Sequence, residues 1–150
     1  MEWHEINTAE DIEQLQKIYG NFEDSYLVRM EYVSGDHVDQ ELVGSMVQSN
    51  DLRAVFQRLD EDPFSIELWF THTKRVNMFF VNPADRCLSD IYSAKVCMNS
   101  SSVFWTVYMD FDPYSEADIS ARDIMLIEAE GMRWRVLSEK AAEDEYSKRQ

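Results

Sequence analysis

Beyond Gly20, apolar and polar residues of this chain alternate with a period of two, which is the side-chain period of a β-strand. Turn-forming residues separate these stretches, and no second well-patterned helix stands between them. Parallel strands need long crossover connections, usually helices, so this order indicates antiparallel pairing. We therefore predict an α+β fold: a mostly antiparallel sheet of about eight strands, sandwich-like or strongly curved, with one N-terminal helix.

The N-terminal helix is the most clearly marked element. Thr8 can cap its first turn, and Asp11 follows three residues later in a shorter version of the capping box. Four apolar residues then recur at helical spacing on one face: Ile12, Leu15, Ile18 and Tyr19. Gly20 can adopt a left-handed backbone conformation, so we expect the helix to end there.

The predicted strands follow this helix. They cover residues 26–33, 38–47, 52–59, 65–71, 76–81, 87–98, 103–109, 124–130 and 132–137. We expect Leu42 and Met46 to belong to the second of these strands. The run 76–81 is almost entirely apolar, which is typical of a central strand. Gly131 separates the last two strands, and we expect a hairpin around it.

Length and composition predict one domain. A chain of 150 residues with 45% apolar residues can bury a sizeable core. Its few glycines and prolines form no linker, so we assign a single α+β domain to residues 1–137 and a charged tail to residues 138–150. Cys87 and Cys97 fit neither a disulfide framework nor a zinc site, and we expect buried free thiols. The chain shows no signal-peptide pattern and no apolar run of membrane length, which predicts a cytoplasmic location.

The charge of the chain narrows the choice of partners. Its 29 acidic and 14 basic residues give a formal net charge of −15. Such a charge repels phosphate, which argues against nucleic acid and anionic membranes and permits a cationic partner. Three acidic segments, residues 1–24, 35–67 and 107–130, flank a slightly basic middle. Solubility alone is the competing explanation for this excess of acid.

The motifs of common enzymes and metal sites are missing from the sequence. The acidic loop of residues 110–122, in which we expect one helical turn near Ser115, fails the EF-hand pattern because Tyr114 stands fifth and no glycine follows. The three histidines lack ligand spacing: His4, His37 and His72. No nucleophile elbow or glycine-rich phosphate loop is present. We therefore predict no catalytic residue, no metal ligand and no cofactor.

Four short segments carry a resemblance to a known group of proteins. They are Phe22-Glu23-Asp24-Ser25, Val55-Phe56-Gln57-Arg58, Ser65-Ile66-Glu67-Leu68 and Met132-Arg133-Trp134-Arg135. Together they resemble small bacterial proteins of uncharacterised function with an F-x-D-S element after the first helix, some of which look like immunity proteins of toxin systems. Glu23 stands where that group often has histidine. The resemblance implies an antiparallel α+β domain that binds a protein and carries no catalytic residue.

These observations favour a non-enzymatic, acidic protein-binding domain, with a basic toxin domain as its partner. The predicted binding residues are carboxylates and exposed aromatic side chains: Asp60, Glu61, Asp62, Trp69, Asp110, Asp112, Tyr114, Glu116 and Asp118. One alternative is a structural domain that self-associates through strand edges or residues 76–81. Another is a hydrolase or metal-dependent enzyme whose acidic residues come from distant strands.

Overall fold

The computed structural model of the chain describes residues 2–79 and 90–138. Within these ranges the chain forms ten β-strands and two α-helices. The strands are β1 (His4–Ile6), β2 (Ser25–Val33), β3 (His37–Val38), β4 (Gly44–Ser45), β5 (Asp51–Arg58), β6 (Ser65–Asn77), β7 (Asp90–Ile91), β8 (Lys95–Met98), β9 (Val103–Thr106) and β10 (Leu126–Val136). The helices are α1 (Ala9–Tyr19) and α2 (Glu116–Ser120).

Antiparallel pairing joins the strands of the main sheet in the order β7-β2-β5-β6-β10-β9-β8. Strand β1 pairs with the C-terminal half of β10, next to the position where β9 pairs with its N-terminal half. Strands β3 and β4 form a separate two-stranded sheet. The predicted α+β class, with a mostly antiparallel sheet and a helix near the N-terminus, is confirmed.

The main sheet is strongly curved. Strands β7 and β8 form its opposite edges, yet only residues 92–94 connect them. This connection spans at most about 15 Å, whereas a flat sheet of seven strands would separate its edges by about 29 Å. The two edges must therefore approach each other, and the Ala94 N–H donates to the Asn21 carbonyl oxygen just after α1. Of the two predicted forms, the chain adopts the curved one.

The core fills the concave side of this sheet. A series of aromatic contacts crosses it, with ring centroids 5.1 Å apart for Tyr19 and Phe22, 5.2 Å for Phe22 and Phe56, and 5.3 Å for Phe56 and Trp105. Phe56 lies in β5 and Trp105 in β9, which are three strands apart in the sheet. Their contact is possible because the sheet curls around the core. Helix α1 contributes the buried side chains of Leu15 and Tyr19.

Helix α1 has the predicted bounds and cap. The Asp11 N–H donates to Thr8 Oγ1, and an Asp11 carboxylate oxygen accepts the Thr8 N–H at 2.8 Å, so the capping box is complete. Gly20 follows the helix with φ of 66°, in the left-handed region that glycine adopts without strain. These features depend on residues close in sequence.

The hairpin expected around Gly131 is wrong. Strand β10 runs through this residue without interruption and pairs with β6 along its length. Gly131 lies opposite Thr71, and a Cβ atom at Gly131 would stand 2.8 Å from Thr71 Oγ1. The glycine therefore provides space between two paired strands and does not form the expected turn.

The separate central strand expected at residues 76–81 is also wrong within the described chain. Strand β6 is continuous from Ser65 to Asn77, so Lys74 and Arg75 lie inside it and Val76 is exposed near its end. A bulge opposite Glu128 and Ala129 accommodates the extra residue. Residues 80 and 81 lie outside the described residues.

The ribbon expected at residues 87–98 and 103–109 is confirmed in its centre, where β8 pairs with β9 across the turn Asn99–Ser102. Residues 90 and 91 instead pair with β2. Residues 87–89, including Cys87, and residues 139–150 of the predicted tail lie outside the described residues.

The strand expected at residues 38–47 is replaced by a small hairpin outside the main sheet. Strands β3 and β4 have two residues each, and Leu42 and Met46 are 85% and 79% exposed. Apolar residues at these positions suggested a core strand. However, β2 pairs directly with β5, so the main sheet has no place for a strand between them.

Candidate functional site

The acidic turn of residues 60–62 is built around Arg58. This arginine is buried and donates to four backbone carbonyl oxygens at 2.9 to 3.2 Å: those of Ile18, Tyr19, Asp62 and Pro63. The first two oxygens belong to the last turn of α1, where no further helical N–H is available to bond them. The Nη1 atom of Arg58 also lies 3.6 Å from a carboxylate oxygen of Glu61. Arg58 thus ties the turn to the helix and leaves the three acidic side chains exposed.

The acidic loop of residues 110–118 is organised by its own carboxylates. Asp118 accepts the N–H of Asp112 at 2.8 Å, and Asp112 accepts the N–H of Tyr114 at 2.9 Å. Ser115 caps α2, which confirms the helical turn expected there. The side chains of Asp110, Tyr114 and Glu116 are exposed, as is that of Asp112.

The same loop covers a second, smaller apolar cluster on the convex side of the sheet, formed by Phe104, Phe111 and Leu126. Cys97 packs against this cluster as a free thiol. Burial raises the pKa of Cys97 to about 11. Among residues 2–79 and 90–138, no group of three histidine, cysteine or acidic side chains could hold a metal ion.

The two acidic groups lie at opposite ends of the sheet. The turn of residues 60–62 precedes the start of β6, where Ile66 pairs with Val136 at the end of β10. The loop of residues 110–118 follows the end of β9, where Thr106 pairs with Leu126 at the start of β10. Ten residues of extended strand separate these two ends of β10 by about 33 Å. The loop runs back from its end toward the turn Asn99–Ser102, where Asn99 Nδ2 donates to the Pro113 carbonyl oxygen at 2.7 Å. The fold therefore does not bring the predicted carboxylates together in one patch.

Trp69, the predicted aromatic binding residue of the middle segment, lies on the convex face between two arginines. The guanidinium carbons of Arg53 and Arg133 lie 4.8 and 3.7 Å from a Trp69 ring centroid. The ring of Trp3 meets it edge-on at 5.4 Å. Because β5, β6 and β10 are neighbours, Arg53, Trp69 and Arg133 form a row across the sheet.

The next row on this face carries the balancing charge. Glu67 is buried and accepts from Arg53 Nε at 2.7 Å and from Arg135 Nε at 2.8 Å. The six side chains form what we call the arginine–tryptophan layer: Trp3, Arg53, Glu67, Trp69, Arg133 and Arg135. Cation–π stacking with Arg53 and Arg133 engages the Trp69 ring within this layer, so the ring is not a free aromatic anchor for a partner.

The largest departure from the sequence analysis is a group of exposed apolar side chains between β2 and β5. They belong to the excursion of residues 34–50, which we call the β3–β4 hairpin: Val38, Leu42, Val43, Met46 and Val47. None of them is among the binding residues predicted from the sequence. One signal was present in the sequence, because residues 30–52 contain five acidic residues and no lysine or arginine. Such a segment is unusual for a core strand.

No family model, curated protein or solved structure matches this chain. In the part of the chain that the structure describes, no helix has the length and apolar character needed to cross a membrane.

Proposed function

We propose that this chain is a non-enzymatic, cytoplasmic protein-binding domain whose partner is a basic protein, in the manner of an immunity protein that neutralises a basic toxin domain. One observation carries the proposal: the described basic side chains are largely engaged inside the molecule, whereas many carboxylates are exposed and unpaired. The charge available to a partner is therefore mainly negative.

The engagement of the basic residues is specific. Arg53 and Arg135 share Glu67, and Arg133 lies 3.6 Å from a carboxylate oxygen of Glu5. Arg58 is surrounded by the carbonyl oxygens described above. Two lysines also bind oxygen atoms of the protein: Lys74 donates to Ser101 O and Ser102 Oγ, and Lys95 donates to Phe111 O.

The exposed acids differ from these arginines and lysines. The carboxylates of Asp60, Asp62, Asp110 and Glu116 make no hydrogen bond or ion pair with the described residues. An unpaired surface carboxylate keeps its full charge for a partner, and charges of one sign accelerate association with a protein of the opposite sign. This acidic surface supports a basic partner.

The proposal is tested with purified basic nuclease domains of bacterial toxins, and with acidic domains of similar size as controls. Surface plasmon resonance should show association with at least one basic domain, with an association rate that falls steeply as salt rises. The double variant Asp60→Asn/Asp62→Asn should slow association, and Glu10→Gln/Glu13→Gln on α1 provides a control with the same change in charge. Absence of binding to every basic domain at low salt would refute the proposal.

A further inference from the structure

The β3–β4 hairpin is longer than the fold requires. Strands β2 and β5 are neighbours, and Val33 at the end of one pairs with Asp51 at the start of the other. A turn of two residues can join such strands. Instead, the chain leaves the main sheet after Ser34, whose carbonyl oxygen still accepts the Asn50 N–H, and residues 37–38 and 44–45 form a small sheet of their own. Long connections of this kind in a compact domain are commonly functional.

The side chains that this hairpin exposes are unsuited to water. Its five exposed apolar residues, named above, stand within ten positions of one another and lie outside both apolar clusters of the protein. Scattered exposed apolar residues are ordinary, but a local group of this kind marks an interaction surface.

The hairpin holds these side chains on an ordered frame. An Asp36 carboxylate oxygen accepts the N–H groups of Val47 and Gln48 at 2.7 and 2.8 Å. At the tip, an Asp39 carboxylate oxygen accepts two further N–H groups at 2.9 and 3.0 Å: those of Glu41 and Val43. A frame fixed in advance loses less conformational entropy when a partner binds.

The tip itself has an unfavourable backbone conformation. Leu42 has φ of 65°, in the left-handed region that residues with a Cβ atom rarely adopt. Its side chain is almost fully exposed, so packing within the described protein does not offset this cost. A glycine or asparagine would suit the backbone better. The presence of leucine here fits a side chain that is buried in a partner.

Charge decides what kind of partner this surface fits. The hairpin itself carries Asp36, Asp39 and Glu41 and no lysine or arginine. A second copy of the chain would bring the same three carboxylates against these, and like charges across an interface oppose association. A partner with lysines and arginines beside an apolar contact surface would pair with both features.

We propose that the β3–β4 hairpin is the docking element of this protein, and that Leu42 and Met46 pack against apolar side chains that are flanked by basic residues on the partner. The inference rests on the proposed function, because it names the surface through which the basic partner is held. The hairpin provides the apolar contact, and the carboxylates of Asp36, Asp39 and Glu41 pair with the flanking basic residues.

The test uses the full chain and a phage-displayed library of random peptides as the probe. Peptides selected on the wild-type protein should combine lysine or arginine with leucine, phenylalanine or tryptophan. The double variant Leu42→Ser/Met46→Ser should weaken their binding by at least about tenfold, which is the loss expected for truncating central apolar contacts. Leu42→Gly is the second variant, because glycine retains the backbone conformation of the tip.

Ile18→Ser is the matched control, since Ile18 is an exposed apolar residue of α1, outside the hairpin and outside the predicted binding residues. It should leave the affinity of the selected peptides unchanged. Circular dichroism verifies that every variant is folded.

The outcomes separate this inference from the proposed function. Basic peptides that bind the hairpin variants as tightly as the wild type, but lose affinity for Asp60→Asn/Asp62→Asn, would overturn the hairpin as docking element and leave the basic partner in place. Selected peptides without an excess of lysine and arginine would overturn the hairpin as the docking element for a basic partner, whereas the proposed function is decided separately by binding to the basic domains. A wild-type dimer in sedimentation that Leu42→Gly converts to a monomer would identify a second copy as the occupant and refute the inference.

Discussion

Arg58 is a buried cation whose positive charge is matched mainly by the dipoles of backbone carbonyl groups. Removing a guanidinium from water is costly unless its N–H groups are bonded. Here four carbonyl oxygens and the ring of Tyr19, with its centroid 4.3 Å from the guanidinium carbon, surround it. The side chain joins the last turn of α1 to the turn after β5, two segments about forty residues apart in sequence.

We expect Arg58→Met to lower the free energy of unfolding by about 3 kcal/mol, because the variant leaves carbonyl oxygens without a donor. Urea denaturation followed by tryptophan fluorescence measures the change. Arg122→Met is the control, since Arg122 is exposed and has no hydrogen bond to the described residues. Equal stability of the two variants would contradict this account of Arg58.

Gly131 is a second position at which one atom matters. Gly131→Ala places a methyl group 2.8 Å from Thr71 Oγ1, and we expect a net loss of about 1 kcal/mol from the overlap. In a Thr71→Ala background the same substitution should become neutral or stabilising, because the obstructing hydroxyl is gone. A double-mutant cycle measures this coupling. An equal loss of stability in both backgrounds would indicate that glycine is needed at position 131 for its own backbone conformation and not for the space beside Thr71.

Cys97 should react slowly in the folded protein. Burial raises the pKa of its thiol from 9.0 to about 11, so the thiolate fraction at pH 8 falls about 100-fold. The experiment uses a Cys87→Ser variant, in which Cys97 is the remaining thiol, and follows its alkylation by iodoacetamide with mass spectrometry. At pH 8 the reaction should be at least about 100-fold slower in buffer than in urea. Similar rates in the two conditions would show that the thiol is not held in a buried environment.

At the scale of elements, α1 and the β3–β4 hairpin represent opposite cases. The helix has local signals for its start and its end, and both correspond to what the chain forms. Of the predicted apolar stripe, Leu15 and Tyr19 are buried, whereas Ile18 is exposed because it lies at the margin of the face that packs on the sheet. The apolar residues of the hairpin resemble those of a strand in the sequence, but in the structure they are exposed and form no buried face. Whether such a pattern enters a sheet depends on which strands pair, and β2 pairs with β5 without it.

The hairpin should therefore be removable. Deleting residues 36–48 joins Gly35 to Ser49, and these two already approach closely, since a Cβ atom at Gly35 would lie 2.6 Å from Ser49 Oγ. We expect the melting temperature to stay within a few degrees of the wild type, because the deleted residues contribute nothing to the buried core. Differential scanning calorimetry measures this, and a large fall in melting temperature would show that the hairpin is part of the folding unit.

At the scale of the molecule, the excess of carboxylates should oppose folding through self-repulsion. Exposed acids without basic neighbours repel one another, and salt screens this repulsion. The melting temperature should therefore rise as sodium chloride is increased from low to near-physiological concentration. A variant with Asp60, Asp62, Asp110 and Glu116 changed to their amides should show a smaller rise. A melting temperature that falls with salt would indicate that ion pairs dominate.

The candidate site shows how far the sequence could be used for function. The exposure of most acidic side chains in the turn of residues 60–62 and in the acidic loop was predictable, because carboxylates rarely enter a core. The placement of the two groups at opposite ends of β10 was not, since it depends on strand order. Tryptophan is a residue type common in binding sites, so Trp69 was a reasonable candidate. The register of β6 with its neighbouring strands, however, places Trp69 between Arg53 and Arg133.

The sequence by itself determined the features that depend on near neighbours: the class of fold, the bounds and cap of α1, the centre of most strands, and the acidic excess. Tertiary structure alone decided that β10 continues through Gly131, that the sheet curls until Phe56 meets Trp105, and that residues 38–47 stay outside it. The physical reason is that a period of two shows only that a strand has two faces. Which face is buried depends on the strands beside it, and these come from distant parts of the chain.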